Sequence, residues 1–254
     1  MATVLPLLRL VSREVILGRV RTSSSGTELG EEGPRRSRGR PPLPLDRIIA
    51  TATRLLDEEG ADALSMRILA QRLDSGTATL YRHFTGRADL VAQVVDSVLG
   101  EVHVDRKAVD GMEWQQACEV WAHSLFDVFR RHPHVAPLLV EHMPTGPNAM
   151  AGRERMIALL LKSGFAPPLA AQACATLARY VLGFATQLPP AGASAADEDA
   201  VWQTLDEKSF PAITSVAEHL PVPLEQEFAF GLDLFIKGLS QVARDDGRRR
   251  TKRR

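Results

Sequence analysis

Apolar residues recur every three or four positions along most of the chain, which is the spacing of one face of a helix. The first such stretch is LDRIIATATRLLDEEG at residues 45–60, and its apolar face holds Ile48, Ile49, Ala52, Leu55 and Leu56. Pro44 and Asp46 are typical of a helix start, and Gly60 is typical of the residue after a helix. The pattern predicts a helix over 45–59.

Three more helices are predicted directly after it. Ser65 is a typical N-cap, and the apolar positions that follow predict a helix ending at Leu73. The next residues, DSG, favour a turn, and TATLYRHF at 77–84 is predicted to form a short helix. A long helix over 86–103 completes this N-terminal group.

The rest of the chain shows the same periodicity between proline and glycine signals. Further helices are predicted over 113–131, 135–142, 147–163, 167–187, 199–219 with a potential break at Pro211, and 224–243. We find no strand pattern and no internal repeat, so the sequence predicts an all-α protein. Its expected parts are a disordered leader and basic arm (1–44), a first helical domain (45–103), a second helical domain (104–243) and a basic tail (244–254).

Composition sets the N-terminal segment apart. Residues 22–44 are mainly Ser, Gly, Glu, Arg and Pro, which favours a disordered linker, and the residues before them are interpreted as a dispensable or misassigned leader. A membrane helix needs about 18 consecutive apolar residues, and the sequence has no such run, so no membrane partner is expected. Cys118 and Cys174 favour neither a disulfide framework nor a metal knuckle. We expect a protein of the reducing cytoplasm.

The formal net charge of zero conceals an uneven distribution of charge. Residues 35–87 carry ten Lys/Arg and six Asp/Glu, whereas residues 88–243 carry ten and nineteen. The tail from Arg244 is basic again, with seven Lys/Arg and two Asp/Glu. This asymmetry is typical of a protein in which one part meets a polyanion and another does not.

The polar residues around 77–84 are of the kinds that contact DNA. A helix, a three-residue turn and a second short helix form the geometry that places the second helix in the major groove. Hydroxyl and methyl groups suit base edges, while phenol, imidazole and guanidinium groups suit phosphate oxygens. The candidate DNA contacts are Arg67, Thr77, Ala78, Thr79, Tyr81, His83 and Arg87. An ordinary amphipathic helix with a solvated polar face is the alternative.

Three segments within 45–100 carry a family signature, namely IIATATRLLDEEGADALSMRILAQRL, TLYRHF and Arg87 with ADLV. They resemble the DNA-binding domain of the TetR family of bacterial transcriptional regulators. The resemblance implies the same DNA contacts, with Ala78 packing against the bases. Asp74 stands where the family usually has a turn glycine, and Gly76 stands where it usually has a Ser/Thr cap. Asp tolerates a left-handed backbone and Gly is an acceptable N-cap, so the fold is expected to survive both changes.

A basic segment, RRSRGRPP at 35–42, precedes the first helix. Its Arg38 and Arg40 suit insertion into a narrow A·T-rich minor groove. A solvated basic linker is an equally good interpretation. If the arm binds DNA, it adds affinity and salt dependence more than sequence preference.

The landmarks GPNAM, YVLGFA and FAFGLDLFIKGL within 113–243 resemble the C-terminal domain of the tetracycline-repressor-like branch of this family. That resemblance implies that the helices near 167–187 and 224–243 pair with their symmetry mates in a four-helix dimer interface. The second of these helices carries an apolar stripe formed by Phe228, Leu232, Phe235 and Leu239. A monomer core would produce the same stripe, so dimer and core remain alternatives.

The resemblance also implies a ligand cavity enclosed by the regulatory helices. Its candidate lining residues are His103, Trp121, Leu125, His142, Met143 and Phe184. Tetracycline repressors hold drug-bound magnesium with a histidine whose position here is Leu139, so tetracycline is not expected as the ligand. No metal or other cofactor is expected, because the histidines between 123 and 142 lack a clean i, i+4 spacing. A redox switch at the two cysteines is equally weak, because buried cysteines usually act as small hydrophobes.

These features lead to one interpretation and two alternatives. The chain is interpreted as a homodimeric repressor that binds a palindromic operator in double-stranded DNA and is released by a small-molecule inducer. The first alternative is an architectural protein on A·T-rich DNA that has no inducer. The second is an enzyme, which is disfavoured because the sequence shows no Gly-rich phosphate loop, nucleophile elbow or paired carboxylates in a plausible cleft.

Overall fold

A computed structural model of the chain describes residues 43–104, 111–140, 143–189 and 204–252. Within these ranges every regular secondary-structure element is a helix, so the all-α prediction is confirmed. The helices are α1 (Leu45–Glu59), α2 (Met66–Arg72), α3 (Thr77–Leu80), α4 (Arg87–Leu99), α5 (Trp114–Arg131), α6 (Val135–Leu138), α7 (Pro147–Lys162), α8 (Pro167–Ala185), α9 (Pro211–Thr214) and α10 (Leu224–Lys252). A short 3-10 turn, Ala217–His219, lies between the last two.

The predicted helix over 199–219 is wrong in its described part. From residue 204 the chain forms turns, then the four-residue α9 and the 3-10 turn. Proline has no amide hydrogen and is tolerated only in the first helical turn, so Pro211 begins a helix instead of continuing one. None of residues 204–223 is buried, so the segment also lacks the packed apolar face that stabilises most helices.

Several other predicted helix ends differ, by up to nine residues, and the predicted helix over 135–142 ends at Leu138. The short third helix ends at Leu80, after which 81–83 form a turn, and the long fourth helix ends at Leu99. At the other end of the chain, α10 continues through the basic residues predicted to be a separate tail. Charged residues such as Arg are good helix formers, so the end of the apolar pattern did not mark the end of the helix.

The first three helices enclose a small core that positions the helix-turn-helix. Leu55 of α1, Leu69 of α2, Leu80 of α3 and the adjacent Phe84 are all buried. Asp74, in the turn between α2 and α3, has φ 47°, which is the left-handed conformation expected where the family has glycine. The hydroxyl of Ser65 accepts the Ile68 N–H at 3.2 Å, which confirms Ser65 as the N-cap of α2.

The helices that follow α4 are packed around α5 and α8. Helix α8 packs against α5, α7 and α10, and α4 packs against α1 on one side and α7 on the other. The Phe228 ring stacks on Phe126 of α5 with centroids 4.3 Å apart, and the carbonyl of Phe228 accepts a hydrogen bond from the Tyr180 hydroxyl at 2.5 Å. Helix α4 is therefore the element that connects the three N-terminal helices to the helices that follow it.

The apolar stripe on α10 lies largely inside the protein. Phe228, Leu232 and Leu239 are buried in the chain's own core, and Phe235 is partly buried against it. Of the two alternatives for this stripe, the core is correct. Any dimer contact made by α10 must use a different face of the helix.

Candidate DNA interface and ligand cavity

The helix-turn-helix places most of its candidate DNA contacts on the surface. Arg67, Thr77 and Ala78 are exposed, and Tyr81 is 58% exposed, an unusual state for a large aromatic side chain. The side chains of Thr79 and His83 are half-buried. Exposed hydroxyl, phenol and guanidinium groups over a buried apolar base form a surface able to donate hydrogen bonds to DNA.

One further exposed cation was missed at the sequence level. Arg82 lies next to Tyr81 and is exposed, so a guanidinium and a phenol stand side by side after α3. The signal was available, because the residue lies within the same TLYRHF element as the other candidates.

Arg38 and Arg40 of the basic arm lie outside the described residues, and their minor-groove contact stays a prediction.

Arg87 has a structural role that the sequence did not indicate. Its Nε–H donates to the carbonyl of Leu64 at 2.8 Å, and its Nη2 donates to the carbonyl of Ala61 at 2.7 Å. These bonds attach the start of α4 to the loop between α1 and α2. Two of the five guanidinium N–H groups are used in this way, and phosphate contact by the remaining donors stays a prediction.

We expect Arg87→Ala to destabilise the protein by about 1–2 kcal/mol, because two carbonyls lose a charged donor at a partly exposed site. Urea unfolding measures this change. The matched control is Arg82→Ala, which should change the free energy of unfolding by no more than about 0.5 kcal/mol. It should also reduce the steepness of the fall in the logarithm of the DNA-association constant with the logarithm of salt concentration by about 0.9. An Arg87→Ala variant with unchanged stability and a reduced salt slope would show that Arg87 acts on phosphate instead.

A cavity of about 540 Å³ lies among α5, α7, α8 and the end of α4. Trp121, Leu125 and Met143 line it, as predicted, and Leu139 also contributes to its wall. This volume is in the range of small-molecule sites, and most of its walls are apolar. The arrangement is suited to an apolar organic ligand.

The other predicted cavity residues lie elsewhere. His103 lines a neighbouring cavity of about 450 Å³. Phe184 is absent from the described wall of the larger cavity and packs instead in the aromatic core, 5.0 Å from Tyr180 and 5.6 Å from Phe228 between ring centroids. Its neighbours Leu182 and Gly183 line the cavity, so the helix turns Phe184 away from the space they face. His142 lies outside the described residues.

Three arginines line the larger cavity and were missed by sequence reasoning. Arg153 and Arg155 come from α7 and Arg179 from α8, and the described lining contains no carboxylate. The signal was weak, because isolated arginines on amphipathic helices usually belong to a solvated face. Their position gives the apolar cavity a positively charged side.

The two cysteines are buried as expected. Burial raises the pKa of the Cys118 thiol to about 12 and also raises the pKa of Cys174, which lines the cavity. Both remain protonated at neutral pH, when thiols react poorly. Among the residues that the structure describes, no three His, Cys, Asp or Glu side chains come together as a metal site.

A hydrogen-bonded joint connects the cavity to α4. Asp96 of α4 is only 8% exposed, and its two carboxylate oxygens accept the N–H groups of Asn148 at 3.2 Å and Ala149 at 3.0 Å. The Asn148 side chain in turn donates to the backbone carbonyl of Asp96 at 3.0 Å. Asp96 therefore caps the N-terminus of α7 from another helix, and both residues that it holds also line the cavity.

A second group of polar contacts joins the end of α5 to α1 and to the segment after α4. His132, directly after α5, contacts the Asp57 carboxylate of α1 at 2.9 Å and the Glu101 carboxylate beyond α4 at 3.2 Å. Arg131 also donates to Glu101, at 2.5 Å. Helix α1, which packs beside the helix-turn-helix, is thus held to the end of α5 independently of the Asp96 joint.

Two family models match the chain and together cover most of it. The model for bacterial regulatory proteins of the tetR family matches residues 48–94, and the model for the tetracyclin repressor-like C-terminal domain matches residues 109–243. The chain belongs to the TetR family. TetR-family proteins are DNA-binding transcriptional regulators, so the family resemblance read from the sequence is confirmed and a regulator is favoured over an enzyme.

Several individual relatives agree with this membership. The chain is 31% identical to the HTH-type transcriptional repressor DrrR1 of Streptomyces coeruleorubidus, over 87% of this chain and 89% of that protein. It is 28% identical to the class G tetracycline repressor of Vibrio anguillarum, over 77% and 92% of the two chains. The apo structure of ActR from Streptomyces coelicolor matches with a TM-score of 0.71 at 36% identity, over 81% of this chain and 98% of ActR. ActR has also been solved in complex with (S)-DNPA and with actinorhodin.

Membership in the TetR family assigns the exposed residues around α3 and the cavity to two different domains. The exposed residues around α3 belong to the DNA-binding domain matched over 48–94, and the cavity belongs to the C-terminal domain matched over 109–243. No described helix is both long and apolar enough to cross a membrane. The structure thus places the exposed residues around α3 and a ligand-sized cavity in two domains joined by α4.

Proposed function

We propose that this TetR-family regulator represses transcription by binding a palindromic operator as a homodimer, and that it leaves the operator when a small molecule fills the cavity. The Asp96 joint is the observation that carries the proposal. A ligand in the cavity contacts the N-terminus of α7, which is hydrogen-bonded to α4, and α4 packs on α1 of the reader. Movement at the cavity therefore has a direct route to the helix-turn-helix.

The ligand acts by favouring one of two arrangements. A ligand that binds both arrangements equally well shifts nothing, so it must prefer the one in which the recognition helices are wrongly spaced. Two α3 helices in a dimer reach successive major grooves only when they lie about 34–36 Å apart. A small rotation of α4 in each protomer is enough to change that spacing.

An exposed apolar ridge on α10 supports the dimer. Phe230 is 66% exposed, Leu234 is 53% exposed and Val242 is 50% exposed. Phe230 and Leu234 are four residues apart, and Gly238 and Val242 continue the same spacing. The structure shows open space where a Gly238 side chain would begin. Ridges at this spacing pack against other helices, and such a ridge on the surface of one protomer is suited to burial against a second copy.

Selection of bound fragments from a random DNA library with the purified full chain, at physiological salt, tests the proposal. A palindromic motif with two half-sites about one helical turn apart is the expected result. Uniform enrichment of A·T-rich DNA with a steep salt dependence would favour the architectural alternative instead. The same operator then serves as the probe for inducer release.

The recognition helix itself is tested with two substitutions. Tyr81→Ala should weaken binding to every DNA sequence by about 1 kcal/mol, because a phosphate contact is lost. Thr79→Ala should keep most of the affinity and relax the preference at one base pair. Fluorescence anisotropy with operator and with scrambled DNA separates these effects, and wild-type behaviour of both variants would show that α3 is not the reading helix.

A further inference from the structure

We propose that the cavity is selective for organic anions, that is, for largely apolar molecules that carry a carboxylate, phenolate or sulfonate group. The proposal specifies the ligand class of the proposed regulator, and its role in induction rests on that proposed function. It starts from the three arginines in the cavity wall, Arg153, Arg155 and Arg179.

The arginines are grouped in a region with few cations. Residues 88–243 contain only ten Lys/Arg against nineteen Asp/Glu, yet three of those ten line this one cavity. The described part of the lining contributes no Asp or Glu to balance them. Since guanidinium groups stay protonated at every physiological pH, the cavity keeps its positive side under all conditions in the cell.

None of the three arginines is neutralised by a carboxylate in the described part of the chain. The ion pairs found there use other cations, such as Arg72 with Glu58 and Lys237 with Asp233. Arg153 is directed at the thioether of Met150, 3.1 Å from its Nη1, and a thioether is only a weak acceptor. Arg155 and Arg179 are exposed and Arg153 is half-buried, so their guanidinium groups are accessible at the cavity wall, where such groups favour an anionic partner.

The remaining wall is suited to the body of such a ligand. Trp121, Leu125 and Phe129 of α5 face Leu182 of α8 across the apolar part of the cavity. Aromatic and branched side chains offer broad apolar contact, while Asn148 and Thr186 add polar groups at the wall. An amphipathic anion can therefore place its apolar body against α5 and its charge toward α7 and α8.

A matched pair of fluorescent probes tests the preference directly, without DNA. The probe 8-anilinonaphthalene-1-sulfonate and the neutral N-phenyl-1-naphthylamine share one aromatic body and differ in the sulfonate. The full-length protein is expected to bind the sulfonate about tenfold more tightly, which corresponds to about 1.4 kcal/mol. Equal affinity for the two probes would overturn the proposal.

Arginine substitutions locate the effect. Arg153→Gln and Arg179→Gln should each weaken sulfonate binding about fivefold and leave the neutral probe unchanged, since one charge-assisted contact is lost. The matched control is Arg130→Gln, because Arg130 is exposed on α5 and paired with Asp127 outside the described cavity wall. Loss of affinity for both probes alike in the cavity variants would contradict an anion site.

A substitution that fills the cavity is the second control. Gly152 lines the cavity with open space where a side chain would begin, so Gly152→Phe fills it without a clash at the backbone. Both probes should then lose binding, and sulfonate binding that survives this variant would overturn the assignment. Release of the operator is measured separately. If the arginine substitutions weaken sulfonate binding as expected but the sulfonate probe does not release the protein from its operator, the anion site is supported and its role in induction is not.

Discussion

Leu234→Asp is expected to convert the protein into a folded monomer whose operator affinity is lower by about 10²–10⁴, the factor that linking two binding modules usually contributes. Leu234 is 53% exposed at the centre of the α10 ridge, so a carboxylate there is harmless to the isolated chain. In a dimer, two carboxylates would face each other across an apolar contact and lose their hydration. Sedimentation equilibrium and fluorescence anisotropy with the operator measure the two effects.

The matched control for this prediction is Leu161→Asp on α7. Leu161 is 42% exposed and lies outside the α10 ridge, so the substitution introduces the same charge at a comparably exposed leucine. It should leave both the oligomeric state and the operator affinity unchanged. A Leu234→Asp variant that still sedimented as a dimer would show that another surface holds the two copies together.

The α10 ridge also shows what the periodicity of apolar residues does not predict, namely which face of a helix is buried. Phe228, Leu232 and Leu239 and the ridge residues Phe230 and Leu234 all recur at helical spacing, because α10 is apolar on two faces, one buried and one exposed. Periodicity identifies the helix but does not distinguish the two faces. The burial of Phe228, Leu232 and Leu239 in the structure assigns the first face to the core.

The helix-turn-helix was predictable because its determinants are local. Ser65 as a cap, Asp74 in a left-handed turn and the buried pair Leu80 and Phe84 each follow from a few neighbouring residues. The cavity depends on residues brought together from α4, α5, α7 and α8, so its arginines could not be grouped from sequence spacing. The Asp96 joint spans 52 residues between donor and acceptor and was invisible for the same reason.

Asp96→Ala is expected to destabilise the protein by about 2–3 kcal/mol. The substitution removes a nearly buried carboxylate that accepts two N–H groups at the start of α7, and it combines the loss of an N-cap with the loss of charged hydrogen bonds. Asp96→Asn should cost less, because asparagine keeps one acceptor oxygen and is a good N-cap. Urea unfolding followed by circular dichroism gives the ranking.

The same joint can be broken from its other side. A side chain at Gly146 would begin 2.3 Å from the Asp96 carboxylate carbon, so Gly146→Ala must push the carboxylate away from α7. Gly152→Ala on the same helix meets no atom within 4 Å and is the matched control, with stability expected to be unchanged or raised. Both Gly146→Ala and Asp96→Ala should therefore destabilise the protein through one contact.

Because both substitutions break one contact, their effects should not add. The double variant Asp96→Ala with Gly146→Ala is expected to be about as stable as the less stable single variant, whereas independent sites would add their losses. Coupling between ligand and DNA is reciprocal, so operator binding should also weaken sulfonate-probe binding to the wild-type cavity, and less so in these variants. Additive stability losses with unchanged coupling would show that α7 reaches the reader through another contact, such as the one His132 makes with Asp57.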